Sequence, residues 1–265
     1  MLASTLNPRR YHFGMPGQCP PMPRMPEPIE NGALIPTLDR QGAVWLFEDE
    51  ITRRYLSFAP HKTVLEIAAG YGHVALKALE AGAAEVTANE IDAGQLAIIR
   101  ERTPPRYARQ LKCSLGQFPE GLAFAAHSFD AVYCARLFHF FDGARVRAGI
   151  ERIQAWLRPG GKVFLVNDAV YRRIFRPLIP RYEERVAAGA TWPGYFADVR
   201  SCIPERMSPQ QYPATMNFLD PAVYVREFTL SGFTTEAAAF YPYTGALALA
   251  RLDGREIAGA IGVRR

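Results

Sequence analysis

The fold class is indicated most directly by one segment, Thr63-Val-Leu-Glu-Ile-Ala-Ala-Gly-Tyr-Gly-His-Val-Ala75. Residues 64–67 form the short, mostly apolar run that is typical of a buried parallel strand. Gly70 and Gly72 then remove side chains where the backbone must turn sharply and approach a ligand. A helix that begins at His73 points its free backbone N–H groups back at this turn. The stretch therefore predicts a polar ligand at the carboxyl end of the strand.

Two kinds of ligand fit such a turn, and Glu66 separates them. The pattern Gly70-x-Gly72-x-x-Ala75, with Glu90 about 20 residues further on, matches a dinucleotide fingerprint. A carboxylate just ahead of the glycines repels a diphosphate, however, and suits a ligand that presents an ammonium group. S-adenosylmethionine (SAM) has that ammonium, a ribose diol for Glu90 and no phosphate. We favour SAM, because a charged residue in an apolar strand is costly without a partner. The alternative is a Glu66 solvated at the strand mouth.

At this point the sequence resembles a known family. Glu66-Ile-Ala-Ala-Gly-Tyr-Gly-His73 is similar to motif I of the class I SAM-dependent methyltransferases, in which an acidic residue precedes alternating glycines. Ala68 stands at the first glycine position and adds one methyl group to the turn. The resemblance covers residues 43–168 well and the C-terminal end more loosely. Three further stretches match in order and spacing, which makes the set specific: Val86–Asp92 (second strand), Ser128–Ala135 (fourth strand) and Leu157–Val166 (entry to the fifth strand).

The resemblance implies an α/β fold with a Rossmann-like, seven-stranded, mostly parallel sheet and an antiparallel last strand. The proline-rich residues 1–42 predict an N-terminal arm packed across the domain, and residues 43–265 the methyltransferase domain. Residues 169–218 are too long for a strand-to-helix connection, so we expect an insertion that forms a lid or substrate pocket. In the arm, the candidates for contact with cofactor or substrate are Tyr11 and His12.

Hydrophobic spacing and capping residues predict the other elements. One apolar face predicts a helix over residues 43–58, and Asp92 and Asp142 are expected to cap the helices that follow them. A third strand is predicted at Leu111–Ser114. A further helix is predicted at residues 220–231, and two late strands near residues 234–241 and 256–263.

The resemblance also implies which residues contact SAM and its product, S-adenosylhomocysteine (SAH). Glu90 corresponds to the acid that binds the ribose. Ser114 stands near the position where many members carry an aspartate for the adenine amino group. No metal is expected, since no spacing of ligands typical of a metal site occurs. The implied cofactor-binding residues are Glu66, Ala68, Gly70, Gly72, Glu90, Ile91, Ser114, Leu115 and Cys134.

The composition is typical of a globular chain. With 265 residues, of which 49% are hydrophobic, the chain is long enough for one large domain or two small ones. No stretch approaches the length of a membrane span, and the N-terminus has no apolar signal region. Four cysteines, at positions 19, 113, 134 and 202, show no CxxC pairing, and Cys113 and Cys134 are expected to be small core residues. We expect a cytoplasmic protein, while delivery elsewhere by a specialised secretion signal stays open.

The net charge of +5 comes from scattered arginines more than from a continuous run. The densest group predicts a solvated face, because Glu183 and Glu184 dilute it and no nucleic-acid-binding module accompanies it. Nucleic acid and membranes are therefore not expected partners, whereas a homodimer stays open. The members of this group are Arg172, Arg173, Arg176, Arg181 and Arg185.

Methyl transfer is an in-line displacement, in which the protein mainly aligns the nucleophile and excludes water. His139 follows the fourth strand and titrates near neutral pH, so it is a candidate base; a histidine packed among phenylalanines is the alternative. Arg136 is a candidate partner for a carboxylate or phosphate of the acceptor, or else forms a surface salt bridge. Asp168, with Asn167, is placed to orient the acceptor or to cap a turn. The aromatic residues that are candidates for lining a pocket are Trp192, Tyr195, Phe196, Tyr212, Phe218 and Tyr241.

The sequence thus predicts a SAM-dependent methyltransferase acting on an oxygen or nitrogen of a small molecule, with aromatic or polyketide-like acceptors favoured. Cys134-Ala-Arg-Leu137 stands where enzymes that methylate DNA bases or protein glutamine carry Asn/Asp-Pro-Pro-Tyr, which disfavours those acceptors. The first alternative is a protein methyltransferase that docks through the arm and the basic insertion. Further alternatives are a SAM-fold binding protein without turnover and an NAD-dependent oxidoreductase.

Overall fold

The structure is a computed structural model, which describes residues 23–40, 42–205, 212–245, 247 and 250–265. Its strands are β1 (Leu34–Pro36), β2 (Ala43–Trp45), β3 (Thr63–Ile67), β4 (Glu85–Glu90), β5 (Leu111–Leu115), β6 (Phe129–Ala135), β7 (Leu157–Asp168), β8 (Tyr195–Phe196), β9 (Met216–Asn217), β10 (Phe233–Tyr241) and β11 (Ile257–Arg264). Its α-helices are α1 (Glu50–Phe58), α2 (His73–Glu80), α3 (Ala93–Arg102), α4 (Gly143–Trp156), α5 (Ile179–Ala187) and α6 (Pro221–Leu230).

The main sheet of the described chain has seven strands in the order β10-β11-β7-β6-β3-β4-β5. Strands β3 to β7 are parallel, whereas β11 runs antiparallel to its neighbours β7 and β10. The chain moves outward from β3 to β5 and then returns to the other side of β3 at β6. This reversal creates a switch point between β3 and β6, which is where open α/β sheets bind ligands. The predicted sheet, with its antiparallel last strand, is confirmed.

Helices cover both faces of this sheet. In β3, Leu65 packs into one core together with α4, α6 and the insertion, while Val64 packs into a second core with α1, α2 and α3. The alternation follows from the pleat, which points successive side chains to opposite faces. Each fully buried side chain of this size contributes roughly 1.5–3 kcal/mol. Burial on both faces therefore holds β3 firmly ahead of the glycine turn.

The helix expected over residues 43–58 is shorter in the structure. It begins at Glu50, because Asp49 caps it by accepting a hydrogen bond from the Thr52 backbone N–H at 2.9 Å. Residues 43–45 instead form β2, which pairs with β1. The apolar spacing fits a helix throughout, but the cap and the strand pairing decide where the helix starts.

The β1–β2 hairpin joins the predicted arm to the rest of the domain. Ile35 of β1 is buried in a cluster with Tyr71, and the Tyr71 hydroxyl donates a hydrogen bond to the Pro36 carbonyl at 2.7 Å. The predicted boundary after residue 42 therefore falls inside one structural unit. Two arm candidates lie outside the described residues, namely Tyr11 and His12.

The described residues of the predicted insertion, 169–205 and 212–218, pack against the sheet. They contain α5 and the β8–β9 ribbon, and Phe175 and Tyr182 belong to the main core. Phe196 and Phe218, which were expected to line a pocket, are buried in that core as well. They cover a sheet face that would otherwise expose apolar residues. The described part of the insertion therefore contributes side chains to the hydrophobic core, and its role as a lid stays a prediction.

Two cysteines expected in the core differ in burial. Cys134 is buried in the central strand β6, whereas Cys113 is only half-buried because β5 lies at the edge of the sheet. None of the helices within the described ranges is long and apolar enough to cross a membrane.

Candidate active site

The turn after β3 has the left-handed backbone that its glycines predict. The φ angles are 59° at Gly70 and 74° at Gly72, and Ala68 also has a positive φ, of 57°. A left-handed conformation costs an L-residue roughly 1–2 kcal/mol, so Ala68 keeps the conformation of the family's first glycine at an energetic cost. This departure from the motif therefore changes the stability of the turn but not its shape.

Both glycines are also required by space. A Cβ atom on Gly70 would lie 2.7 Å from Val44 Cγ2, and one on Gly72 would lie 3.0 Å from Ile99 Cγ1. Val44 belongs to β2, so the N-terminal hairpin packs directly on the glycine turn. Any ligand at this turn is thus close to the hairpin as well as to the sheet.

Glu66 is buried beneath the turn, with 4% of the residue exposed. The alternative of a glutamate solvated at the strand mouth is therefore wrong. Burial, followed by the nearby charge of Glu90, raises the pKa of the Glu66 carboxyl well above its usual range. Its Oε2 atom has no hydrogen-bond partner within the described chain. A buried carboxylate oxygen without a partner is costly, so this atom suits a donor supplied by a ligand.

Glu90 connects the end of β4 to the glycine turn. Its Oε1 atom accepts a hydrogen bond from the Gly70 backbone N–H at 2.6 Å, and its Oε2 atom accepts one from the Ile91 N–H at 2.9 Å. Burial raises the pKa of Glu90 to about 7, although these two hydrogen bonds act to lower it. Each carboxylate oxygen is able to accept a second hydrogen bond, so Glu90 is able to bind a diol while it stays bonded to the glycine turn.

Apolar side chains flank Glu90 on the surface. Leu115 of β5 lies opposite Glu90 in the strand register, and Leu115 and Ile91 are 58% and 56% exposed. The sequence patterns do not point to a role for Asn89. In the structure its Nδ2 atom donates hydrogen bonds to the carbonyls of Ser114 and Gly116, at 3.0 Å each. Asn89 thus holds the end of β5 beside β4, and the two exposed apolar side chains offer a surface for a flat ring.

Cys134 does not present its side chain at the switch point. It is completely buried on the same face as Leu65 and Ile67, and burial raises the pKa of its thiol. Side chains alternate along a strand, so this orientation follows from the position of Cys134 in β6. Its predicted contact with the cofactor is therefore limited to its backbone groups.

The carboxyl ends of β6 and β7 form a second polar cluster. Arg136 follows β6 with a φ of 54°. Its Nη2 atom lies 3.5 Å from Asp49 Oδ2, and its Nε atom lies 3.5 Å from Asp168 Oδ1. The Arg136 side chain is only 12% exposed, so the alternative of a surface salt bridge does not describe it.

Asp168, the last residue of β7, pairs with two arginines, Arg136 and Arg172. Burial alone would raise its pKa, but Arg172 and Arg136 together lower it below the usual range. Its Oδ2 atom accepts a hydrogen bond from Arg172 Nη1. A carboxylate that stays ionised and paired with two guanidinium groups is a poor proton acceptor, so the geometry favours a positioning role for Asp168.

His139 lies in a short 3₁₀ helix, Phe138–Phe140, and is 5% exposed. Burial lowers the pKa of His139 to about 4; Asp168 opposes this effect, and Arg136 and Arg172 reinforce it. The ring is therefore neutral at pH 7, and its Nδ1 atom has no hydrogen-bond partner in the described ranges. A neutral buried imidazole with a free nitrogen is able to accept a proton or a hydrogen bond, although its low basicity limits it as a base.

Asn167 supports the backbone of His139. Its Oδ1 atom accepts a hydrogen bond from the His139 N–H at 3.3 Å, and its Nδ2 atom donates to the Tyr224 hydroxyl at 2.6 Å. The sequence predicts that Asn167 either orients the acceptor or caps a turn. These contacts connect Asn167 to the turn after β6 and to α6, which is compatible with capping, while orientation of the acceptor stays a prediction.

The sequence patterns do not point to four residues of this cluster. The arginine-rich run predicts a solvated Arg172, but the residue is 8% exposed, and its Cζ atom lies 4.6 Å from the centre of the Trp45 ring. Arg136 Cζ lies 4.8 Å from the Phe47 ring and 5.6 Å from the Trp45 ring. The fourth residue, Asp49, contacts Arg136. The i, i+4 spacing of Asp168 and Arg172 is the sequence signal that indicates their pairing.

Two aromatic residues of the insertion line a separate cleft. It has a volume of about 390 Å³ and lies between the start of α4 and the loop after α5. The cleft includes none of the nine predicted cofactor-binding residues. Its lining residues are Asp142, Gly143, Arg185, Ala190, Trp192 and Tyr195.

Comparison with known proteins agrees with this fold. Residues 64–161 match the family model for a methyltransferase domain. A curated ubiquinone/menaquinone biosynthesis C-methyltransferase, UbiE, from Methylobacterium nodulans is 34% identical over 101 residues, which are 37% of this chain and 39% of that protein. The match thus spans about two fifths of the relative's length.

Solved structures extend the likeness beyond this segment. A SAM-dependent methyltransferase from Methanosarcina mazei superposes with a TM-score of 0.59 at 18% identity, covering 83% of this chain and 99% of the other. Magnesium protoporphyrin IX methyltransferase (ChlM) from Synechocystis, solved with bound SAH, gives a TM-score of 0.52 at 12% identity, with 81% of each chain covered. Residues 64–161 are therefore a methyltransferase domain, in a chain that has the fold of the class I SAM-dependent methyltransferases.

Proposed function

We propose that this protein is an enzyme that transfers a methyl group from SAM to an oxygen or nitrogen of a small-molecule acceptor. The observation that carries the proposal is the buried Glu66 Oε2 atom, which lies beneath a glycine turn and lacks a partner within the described residues. The SAH bound to the Synechocystis relative supports the choice of cofactor.

The residues at the switch point fit SAM. Glu66 accepts a hydrogen bond from the ammonium group, and Glu90 accepts from the ribose hydroxyls while it keeps the Gly70 N–H. Ile91 and Leu115 provide the apolar surfaces beside the adenine. SAM supplies an activated methyl group on a sulfonium, and the remaining task of the protein is alignment.

The acceptor lies at the carboxyl ends of β6 and β7 in this proposal. His139 is neutral, and its free Nδ1 atom accepts a hydrogen bond or a proton from the attacking hydroxyl or amine. Arg136 and Asp168 keep fixed charges beside it. The Trp45 and Phe47 rings lie beside Arg136 in this cluster, and in this proposal they keep water away from the nucleophile.

Transfer of labelled methyl groups tests the proposal. The purified protein is incubated with methyl-labelled SAM and a lysate of the organism that makes it, and the products are separated by size. Label in small organic-soluble molecules is the expected result. Label in a protein band would replace the small-molecule acceptor with a protein substrate, and absence of label together with SAH binding would indicate a binding protein without turnover.

A second measurement tests the cofactor alone. We expect SAH to bind in calorimetry and NADH not to compete with it. Tighter binding of NADH than of SAH would contradict the proposal and favour an oxidoreductase.

A further inference from the structure

Arg172 belongs to the polar cluster at the carboxyl ends of β6 and β7, which the proposed function assigns to the acceptor and which we call the acceptor cluster. Several of its N–H donors have no hydrogen-bond partner among the described residues. Within the described chain its side chain makes one hydrogen bond, from Nη1 to Asp168 Oδ2. A guanidinium group carries five N–H donors in a planar fork. The residue is only 8% exposed, yet its other nitrogens are not among the fully buried atoms without a partner in the described chain, so a ligand is able to reach them.

Aromatic rings fix the position of this guanidinium. Its Cζ atom lies 4.6 Å from the Trp45 ring and 6.0 Å from the Phe175 ring. Trp45 also meets the Tyr243 ring edge-on at 5.4 Å, and Phe47 meets it at 4.5 Å. The fork is therefore held beside flat apolar surfaces, an arrangement that suits a planar organic molecule.

The carboxylates nearby do not saturate the two arginines. Asp168 is shared between Arg172 and Arg136. Asp49 Oδ1 accepts hydrogen bonds from the Thr52 backbone N–H and from the Thr52 hydroxyl group. Asp49 Oδ2 lies 3.5 Å from Arg136 Nη2. Both contacts of Arg136 are longer than the 2.7–2.9 Å of a good charge-assisted hydrogen bond.

The buried Arg136 Nε atom also lacks a hydrogen-bond partner among the described residues. The cluster therefore has free donors on both guanidinium groups.

The charges of the two arginines also reach neighbouring tyrosines. Burial is the main cause that raises the pKa of the Tyr243 hydroxyl, and among the charges Arg172 and Arg136 each lower it by more than Asp168 raises it. Burial likewise raises the pKa of Tyr212, and Arg172 is the largest of the charges that act on it.

We propose that Arg172, with Arg136 beside it, recognises a carboxylate on a planar acceptor and so sets the acceptor class of this enzyme. The inference rests on the proposed function, which places the acceptor at the ends of β6 and β7. The fork of Arg172 donates to the carboxylate, Trp45 and Phe47 contact the ring, and Asp168 is the positioning residue that orients the fork.

Two probes of nearly the same shape, one with a carboxylate and one with a neutral amide, test this assignment. The full-length protein, with SAH present, is titrated in a calorimeter with 2-naphthoate and with 2-naphthamide, which share a ring system. We expect the carboxylate to bind at least tenfold more tightly than the amide. Arg172→Gln should reduce this ratio to about one, and Arg172→Lys, which keeps the charge without the fork, should retain only part of it.

Arg176→Gln is the matched control, because Arg176 is an exposed arginine four residues further on. It should keep the full preference for the carboxylate. The circular dichroism spectrum of every variant reports whether the domain is folded, independently of SAH binding.

Equal binding of the two probes by the unaltered protein, or an unchanged preference in a folded Arg172→Gln variant, would overturn the inference. Failure of the unaltered protein to bind SAH would contradict the proposed function instead, while the comparison of the two probes still decides the role of Arg172.

Discussion

The Gly70 backbone N–H donates a hydrogen bond to Glu90 Oε1 at 2.6 Å and so ties the end of β4 to the turn that follows β3. The residue that binds the ribose in our proposal is therefore also a support of the glycine turn. Burial holds its pKa at about 7, so without a ligand the carboxyl group is partly protonated near neutral pH. Hydroxyl donors from a ribose favour the ionised form, which couples cofactor binding to the state of the turn.

Replacement of Glu90 should weaken cofactor binding. Glu90→Gln keeps the size of the side chain and removes the charge, so hydrogen bonds to the ribose diol lose their charge-assisted strength. We expect a loss of about 2 kcal/mol, which is roughly 30-fold in the Kd for SAH. Calorimetric titration with SAH measures this change.

Glu85→Gln is the control for this experiment. Glu85 lies at the other end of the same strand and pairs with Lys112, away from the carboxyl edge of the sheet. Its replacement should leave SAH affinity unchanged. If Glu90→Gln binds SAH as tightly as Glu85→Gln does, the cofactor site is not at the end of β4.

The raised pKa of Glu90 predicts how stability varies with pH. Its folded pKa of about 7 lies above the ordinary value of 4.5, so the folded protein binds the proton more tightly than the unfolded chain. The contribution of Glu90 to stability is therefore fully present below pH 4.5 and is lost as the pH rises through about 7. We expect the free energy of unfolding of the ligand-free protein, relative to that of Glu90→Gln, to increase as the pH falls from 8 to 5. Urea denaturation at several pH values tests this, and a constant difference would contradict it.

Ala68→Gly should stabilise the protein, because Ala68 has a φ of 57°. Glycine adopts this conformation without the steric cost that a Cβ atom imposes. The greater freedom of glycine in the unfolded chain offsets part of the gain, so we expect a net increase of about 0.5–1 kcal/mol in the free energy of unfolding. Ala69→Gly, at the adjacent buried position without a positive φ, should destabilise. A decrease in stability for Ala68→Gly would show that its methyl group packs favourably in the turn.

The sheet was predictable from sequence because its central parallel strands are buried on both faces. Strand β3 reads as an apolar run bounded by turn residues, and Asp92 and Asp142 cap α3 and α4 as expected. The start of α1 was not predictable from periodicity, since Val44 and Phe47 fit the helical spacing equally well. Pairing of β2 with β1 is a non-local interaction, which local spacing does not report.

Only part of the acceptor cluster was predictable from sequence, because some of its members are brought there by non-local contacts as well. Arg136 and His139 follow β6, and Asp168 is the last residue of β7, so the rule that ligands bind at the carboxyl ends of parallel strands predicts all three. Trp45 reaches the cluster through a hairpin, and Arg172 reaches it from the insertion. Neither belongs to a strand of the parallel core, and their contact depends on how these segments fold back across the sheet.

His139→Ala should lower turnover much more than SAH affinity. The neutral ring offers Nδ1 to the acceptor in our proposal, and removing a group that accepts a proton in the transition state typically costs 10²–10⁴-fold in rate. The pKa of about 4 further predicts that turnover shows no loss from His139 protonation between pH 8 and 5, whereas an ordinary histidine would produce a loss near pH 6.5.

His127→Ala is the matched control, because His127 is an exposed histidine before β6, at the opposite end of that strand from His139, and it should leave turnover nearly unchanged. Methyl transfer by His139→Ala at the rate of His127→Ala would leave His139 as a packed residue of the aromatic turn.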